Sequence, residues 1–204
     1  MEFVIYEELD STQKFLLERA QENLCVVALR QSAGVGSRGN VWEGVQSGLY
    51  FSLCLSVSAL PSDLALQSAS IFFGYLFKEL LCERGFEVFL KWPNDLYGSG
   101  GKLGGVMVSL KQEKLVCGIG INFKSPKYGS LGVELERVEL LKSFFAKIAK
   151  TTSWKQIFSK YKLEFYANLD WNFHHQEGKI SLQEVQLLDD GAILHDGKII
   201  YSSR

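Results

Sequence analysis

The chain has 204 residues, enough for one substantial domain and a small appendage, and its 47% hydrophobic content excludes a disordered polymer. Its 22 basic and 23 acidic residues give a net charge of −1, which argues against a broad nucleic-acid or anionic-membrane surface. No apolar run reaches transmembrane length, and Met1-Glu2-Phe3-Val4 lacks the basic-then-apolar order of a secretory signal. Cys25, Cys54, Cys82 and Cys117 are scattered without a C-x-x-C pair, as small hydrophobes of a reducing cytoplasm are. His174, His175 and His195 have no cysteine or carboxylate cluster at ligand spacing. They are expected in loops, and no metal site made by protein side chains is expected.

Phe3 to Tyr6 reads as a short strand, followed by a helix from about Ser11 to Glu22. Asp10 with Gln13 three residues on has the form of a capping box, and Ser11 is the other candidate cap. Free N–H groups at that helix start suit polar ligand atoms. Leu24 to Leu29 is a continuous apolar run, a strand buried on both faces. It delivers the loop Arg30 to Trp42, which carries Gly34, Gly36 and Gly39 between Gln31 and an anchoring Trp42. Leu49 to Val57 alternates, with Tyr50, Ser52, Cys54 and Ser56 on one face, and reads as a half-buried strand.

A long core helix is expected from Pro61-Ser62-Asp63 to just before Gly85, and a strand over Phe86 to Leu90. That strand runs into Lys91-Trp92-Pro93-Asn94-Asp95. Pro93 ends it, and Asn94-Asp95 supplies a turn. The glycine-rich stretch Gly98 to Gly105 then offers backbone amides and the Lys102 ammonium to a ligand. Leu103 to Leu110 and Leu115 to Asn122 form a hairpin whose second strand carries Gly118, Gly120 and Asn122 on one face. Strict alternation turns Lys102 away from the matching face of Gly105 and Met107, so Lys102 is expected to precede regular pairing. Phe123 to Glu136 is a loop. Two amphipathic helices follow, Glu139 to Lys150 and one from Trp154 to about Leu169. From about Asn172, Asp190-Gly191 and Asp196-Gly197 punctuate short strands of a β appendage that is too small to fold alone and must dock.

Five landmarks thus occur in one order: Asp10-Ser11-Thr12, Gln31 before the glycine loop ending in Trp42, Lys91 to Asp95, Lys102-Leu103-Gly104-Gly105, and Gly118-Ile119-Gly120-Ile121-Asn122. In this combination the chain resembles the biotin protein ligases, also called biotin–[acetyl-CoA-carboxylase] ligases. The resemblance implies an α+β fold: a mixed sheet flanked by helices, like that of class II aminoacyl-tRNA synthetases, with a small SH3-like C-terminal β domain. It divides the chain into a catalytic part, residues 1–171, and the β domain, 172–204.

It also implies a cytoplasmic enzyme that joins biotin to ATP as biotinyl-5′-AMP with Mg²⁺, then passes the biotinyl group to a lysine of the biotin carboxyl-carrier protein of acetyl-CoA carboxylase. On the family pattern, Lys102 and Arg38 are catalytic. Ser11, Thr12, Gln31, Gly34, Val35, Gly105, Met107 and Gly118 bind biotin. Ser37, Arg38, Trp42, Asn94, Lys102 and Asn122 face the nucleotide. Bifunctional relatives carry an N-terminal DNA-binding domain; with Asp-Ser-Thr already at residue 10, none is expected, and so neither is a DNA partner. Homodimerisation is left open. One departure stands out: where the family spreads arginines through the glycine loop, this chain has Val35, Ser37 and Asn40 and keeps only Arg38. A lipoate-type ligase of the same core and a non-catalytic biotin-binding module are the competing readings.

Overall fold

The computed structural model describes residues 1–175 and 178–202, apart from the side chain of Arg38. In chain order the first elements are β1 (Glu2–Leu9), α1 (Thr12–Arg19), β2 (Leu24–Gln31), β3 (Gly34–Val35), β4 (Val41–Trp42), β5 (Ser47–Ser56) and α2 (Ala69–Glu83). Next come β6 (Phe89–Lys91), β7 (Asp95–Gly98), β8 (Gly101–Lys111), β9 (Lys114–Lys124), α3 (Arg137–Lys150) and α4 (Trp154–Ala167). The C-terminal strands are β10 (Asn172–His175), β11 (Gly178–Ser181), β12 (Gln186–Leu187), β13 (Ile193–His195) and β14 (Lys198–Ile200). Seven strands form one mixed sheet in the order β1-β2-β5-β9-β8-β7-β6, with β1 and β2 parallel and the other neighbours antiparallel.

The two faces of this sheet have different fates. Leu49, Phe51 and Leu53 of β5, with Ile119 and Ile121 of β9, join one large core beneath α2, α3 and α4. Every residue of α2 from Ala69 to Phe77 is buried, as expected of a helix that is apolar all round. On the opposite face, the short α1 covers only one end, packing Leu16 on Val26, Cys54 and Val116. The rest of that face is left to small and polar residues, and there the site lies. β5 is consequently buried on both faces, not half-buried as its alternation suggests.

Three boundaries depart from expectation for identifiable reasons. Helix α1 stops at Arg19 because Ala20 takes a left-handed conformation. Its cap is Ser11, whose hydroxyl accepts from Lys14 N–H at 3.4 Å, and Gln13 turns inward instead of closing a capping box. Helix α2 begins at Ala69, not near Pro61. The preceding Asp63 serves another element. Its carboxylate accepts from Trp154 N–H (2.8 Å), Lys155 N–H (3.1 Å) and the Ser153 hydroxyl (2.9 Å), capping α4 from across the fold. Burial opposes ionisation of Asp63, but these donors outweigh it and hold its pKa below the ordinary carboxylate value. Asp63→Ala should lower stability by about 1 kcal/mol, the usual loss for a removed cap, read as a fall in Tm. The pKa is depressed on folding, so its stabilisation is complete above the unfolded value near 4. It fades as pH falls below that through the folded value, where the two proteins should converge.

The largest correction concerns the glycine-rich stretch. Asp95–Gly98 is a strand, β7, which pairs with β6 on one side and β8 on the other. Trp92-Pro93-Asn94 makes the first turn, and the second closes on the Gly98–Gly101 pair. These glycines are a hairpin tip rather than a ligand loop. The C-terminal strands form two small sheets, β10–β11 and β12–β13–β14, so His174, His175 and His195 lie on strands, not in loops. Asp196 and Gly197 have φ of 48° and 72°, suited to the two-residue turn between paired His195 and Lys198. Docking of the appendage is visible: Phe173, Leu182, Leu187 and Ile193 enter the main core, and Trp92 Nε1 donates to Gly191 O at 3.0 Å. Cys25, Cys54 and Cys117 are buried free thiols, and burial pushes Cys25 up to about 12. Among the described residues no helix is long and apolar enough to cross a membrane.

Candidate active site

The uncovered part of the sheet is the floor of a chamber of about 110 Å³. Ser52 of β5 lies opposite Gly118 of β9, which in turn lies opposite Met107 of β8; Gly120 lies opposite Gly105. Register, not composition, thus gathers one hydroxyl, one thioether and three glycines on one patch. The short β3–β4 hairpin forms the roof, with Trp42 lying over Gly120. A Cβ on Gly120 would stand 3.0 Å from the indole. The indole Nε1 is buried without a partner among the described residues.

One end of the chamber is polar. Thr12 donates to Gln31 Oε1 from its N–H at 2.8 Å and its hydroxyl at 3.2 Å. The N–H can only donate, so the Gln31 carbonyl must face Thr12 and its NH₂ is left for a ligand. Behind them, Gln13 Nε2 donates to Val116 O (3.2 Å) and Ser109 Oγ (3.3 Å). Gln13 Oε1 accepts from Ser52 Oγ at 3.1 Å, and Ser52 Oγ is also 3.0 Å from Thr12 Oγ1. Ser11, Thr12, Gln13 and Ser52 are all buried. The network presents fixed donors and acceptors in a dry setting, where leaving one unmatched is costly.

Lys102 stands at the other end, and a β-bulge puts it there. The register passes from Leu96↔Gly104 to Tyr97↔Lys102, so Leu103 is an extra residue on β8. The extra residue reverses the alternation. Lys102 shares the face of Asp95 and Gly105, while Leu103 enters the core. Lys102 therefore sits inside the paired strand, not before it. Its Nζ is 2.6 Å from Asp95 Oδ1 and 5.7 Å from the centre of the Trp42 ring. With 42% of its side chain exposed, Lys102 is held by Asp95 yet open to an incoming anion.

Beyond Lys102 lies a second chamber of about 490 Å³, sharing Ser37, Asn40, Asn94, Asp95 and Lys102 with the first. Lys91, His174 and Lys179 line its outer part. Burial holds the Lys91 ammonium below the usual lysine value. Asp95 pulls the other way, and Lys102 and Lys179 add to the lowering.

Of the residues expected in a site, Ser11, Thr12, Gln31, Val35, Gly105, Met107, Gly118, Ser37, Trp42, Asn94 and Lys102 line the first chamber. Asn94 also pins β8, donating to Val106 O at 2.6 Å. Gly34 is buried behind the lining, where a Cβ would meet Trp42 O at 2.6 Å. Asn122 lines neither chamber. It is buried and donates to Gly129 O at 3.0 Å, and its Oδ1 has no partner among the described residues. Arg38 lies on a 3₁₀ turn, Ser37–Gly39, and its side chain is outside the described residues. Gly120, which alternation places beside Gly118, lines the chamber too, whereas Gln13 and Ser52 are lining residues that sequence reasoning did not single out. Alternation put Ser52 on a polar face, but only the pairing of β5 with β9 shows what that face meets.

The model of the biotin/lipoate A/B protein ligase family matches residues 6–124. The bifunctional ligase/repressor BirA of Escherichia coli is 34% identical over 125 residues, 56% of this chain but only 38% of that protein's length. A biotin acetyl coenzyme A carboxylase synthetase from Helicobacter pylori, solved with bound biotinylated ATP, shares 41% identity at a TM-score of 0.93, covering 98% of each chain. A biotin protein ligase from Aquifex aeolicus, solved with biotin and ATP, shares 29% identity at a TM-score of 0.78 over 98% of this chain and 94% of that one. The chain belongs to the biotin/lipoate A/B protein ligase family, on its biotin protein ligase side.

Proposed function

We propose that the protein activates biotin with ATP to biotinyl-5′-AMP and transfers the biotinyl group to a lysine of a biotin carboxyl-carrier protein, that of acetyl-CoA carboxylase, in the cytoplasm. The observation that carries this reading is the layout of the first chamber, with a polar end, an apolar and glycine-lined middle, and Lys102 opposite. A ureido ring has a carbonyl and two N–H groups to match the Gln31, Thr12 and Ser11 end. The bicycle and valeryl chain need the space that Gly105, Met107 and Gly118 leave open. A carboxylate at the chain's end then reaches Lys102.

The physical obstacle in the first step is bringing one anion to another. Lys102 lies where it can bridge the carboxylate and the α-phosphate, and its charge counts most as negative charge gathers in the transition state. Arg38, Ser37, Trp42 and Asn94 are assigned to the nucleotide; Asn122 is assigned to it on the family pattern alone, since it lines neither chamber. Asp95 is the one carboxylate lining either chamber among the described residues. That fits a Mg²⁺ that arrives bound to the phosphates of ATP, where it would shield their charge, rather than one held by a protein cage. Residues 1–171 would perform the chemistry and 172–204 form the small β unit.

The test is ATP–pyrophosphate exchange with purified protein: dependence on biotin supports the reading, and exchange driven by lipoate instead would replace it. A lipoate-type reading is disfavoured because a dithiolane ring would leave the hydrogen-bonding groups at the polar end unmatched.

A further inference from the structure

The face of β8 and β9 that floors the first chamber continues past it. On that face Met107 lies opposite Gly118, Ser109 opposite Val116 and Lys111 opposite Lys114. The second of these pairs holds Gln13, through Ser109 Oγ and Val116 O. The third reaches the other end of the same helix. Lys111 Nζ donates to Leu17 O at 2.7 Å and to Glu18 O at 3.3 Å, and Lys114 Nζ donates to Ala20 O at 2.9 Å. The last carbonyls of a helix have no internal donor, and α1 ends at Arg19 with Ala20 as its cap. Glu22 stands farther from Lys114 Nζ, at 3.8 Å. The spans match as well. Successive pairs on one face of a hairpin are roughly 7 Å apart. Along α1, the rise from Gln13 to Leu17 and Glu18 is about 6–7.5 Å.

Two lysines directly opposite each other on neighbouring strands repel, and a negative partner between them relieves the repulsion. The C-terminus of α1 is such a partner, through its free carbonyls and the negative end of its dipole. The helix in turn depends on support. It has eight residues, too few to persist alone, and Leu16 is its one fully buried apolar side chain. We infer that Lys111 and Lys114 are positioning residues for biotin. By closing the C-terminus of α1 they hold its first turn, Ser11 to Gln13, in register with Ser52 and Gln31 at the polar end of the first chamber. Neither lysine lines that chamber, so both act only through the helix. This inference rests on the proposed function, and the two fail differently. Absence of biotin-dependent exchange in the unaltered protein ends the proposed function itself, whereas the grip on α1 is read with no substrate present.

The test compares Lys111→Met, Lys114→Met, the two combined, and the pair Lys111→Arg with Lys114→Arg. Methionine keeps the apolar stem and removes the donors, while arginine keeps charge and donors. Neither lysine is buried, so the variants should fold. The combined methionine variant should raise KM for biotin about tenfold, and each single one about threefold, as expected when charge-assisted hydrogen bonds are lost at a partly exposed site. KM for ATP and turnover at saturating biotin should stay within about twofold. In the ligand-free protein, hydrogen exchange should quicken at the amides of Phe15, which donates to Ser11 O at 3.0 Å, and of Leu16. The arginine pair should restore most of both effects. An unchanged biotin KM in the combined methionine variant, even with a lower Tm, would overturn the inference. So would a loss confined to turnover, or unchanged amide exchange in α1.

Discussion

Lys102→Ala should slow formation of biotinyl-5′-AMP by about 10²- to 10³-fold, the range seen when one preorganised charge-stabilising donor is removed. The loss has two sources. One is the ammonium that offsets charge between carboxylate and α-phosphate. The other is Asp95, whose partner at 2.6 Å disappears and which then stands as a third anion at a junction of two. At 23% exposed, its side chain is partly shielded from screening water. A double variant, Lys102→Ala with Asp95→Asn, should therefore bind ATP better than Lys102→Ala alone, although it does not regain the ammonium. KM for biotin should stay within about twofold, because the polar end of the chamber lies elsewhere. Stability should change little, since a half-exposed ion pair contributes about 0–1 kcal/mol. Single-turnover adenylate formation measures the first effect and nucleotide titration the second. Near-normal adenylation in Lys102→Ala would remove Lys102 from the mechanism.

How Lys102 reaches the site also shows what a sequence discloses and what it withholds. Lys102 and Gly105 stand out by residue type, but period-two alternation sends them to opposite faces. The reconciling bulge at Leu103 depends on how β7 pairs with β8, a contact across a hairpin that local pattern does not specify. β7 itself was hidden, because Asn94-Asp95 and the glycines after it carry turn chemistry that tertiary pairing overrides. The elements that pattern resolved well are those with strong periodicity or continuous burial: β2, α3, α4 and the β8–β9 hairpin. The start of α2 is not legible locally, because Asp63 resembles a local cap while capping a helix ninety-one residues away in sequence. The mixed sheet and its flanking helices followed from likeness to a family, not from periodicity. Gln13 and Ser52 needed the register of three strands before their roles could be read.

Gly118→Ala should raise KM for biotin about 10- to 100-fold while leaving KM for ATP nearly unchanged, the cost of unpairing one or two buried hydrogen-bonding groups. A Cβ at Gly118 would lie 2.6 Å from Gln13 Oε1 and 3.0 Å from Ser52 Oγ, so something must move. Gln13 is poorly able to yield. Its amide nitrogen is anchored by Val116 O and Ser109 Oγ, and its oxygen takes the Ser52 hydroxyl. Turning it away breaks the anchor of its amide on Val116 O and Ser109 Oγ and releases the hydroxyl chain that orients Thr12 and, through it, the Gln31 carbonyl. Gly120→Ala offers the contrast. Its Cβ would meet the Trp42 indole at 3.0 Å, a side chain on a two-residue roof strand with room to shift, so the biotin effect should be smaller. A double variant separates space from orientation: Gln13→Ala in the Gly118→Ala background removes the clash and should recover Tm, yet biotin affinity should stay low because the amide that orders the hydroxyls is gone. Recovery of both would mean that Gln13 merely fills volume, and an unchanged biotin KM in Gly118→Ala would show that biotin does not lie on this part of the floor.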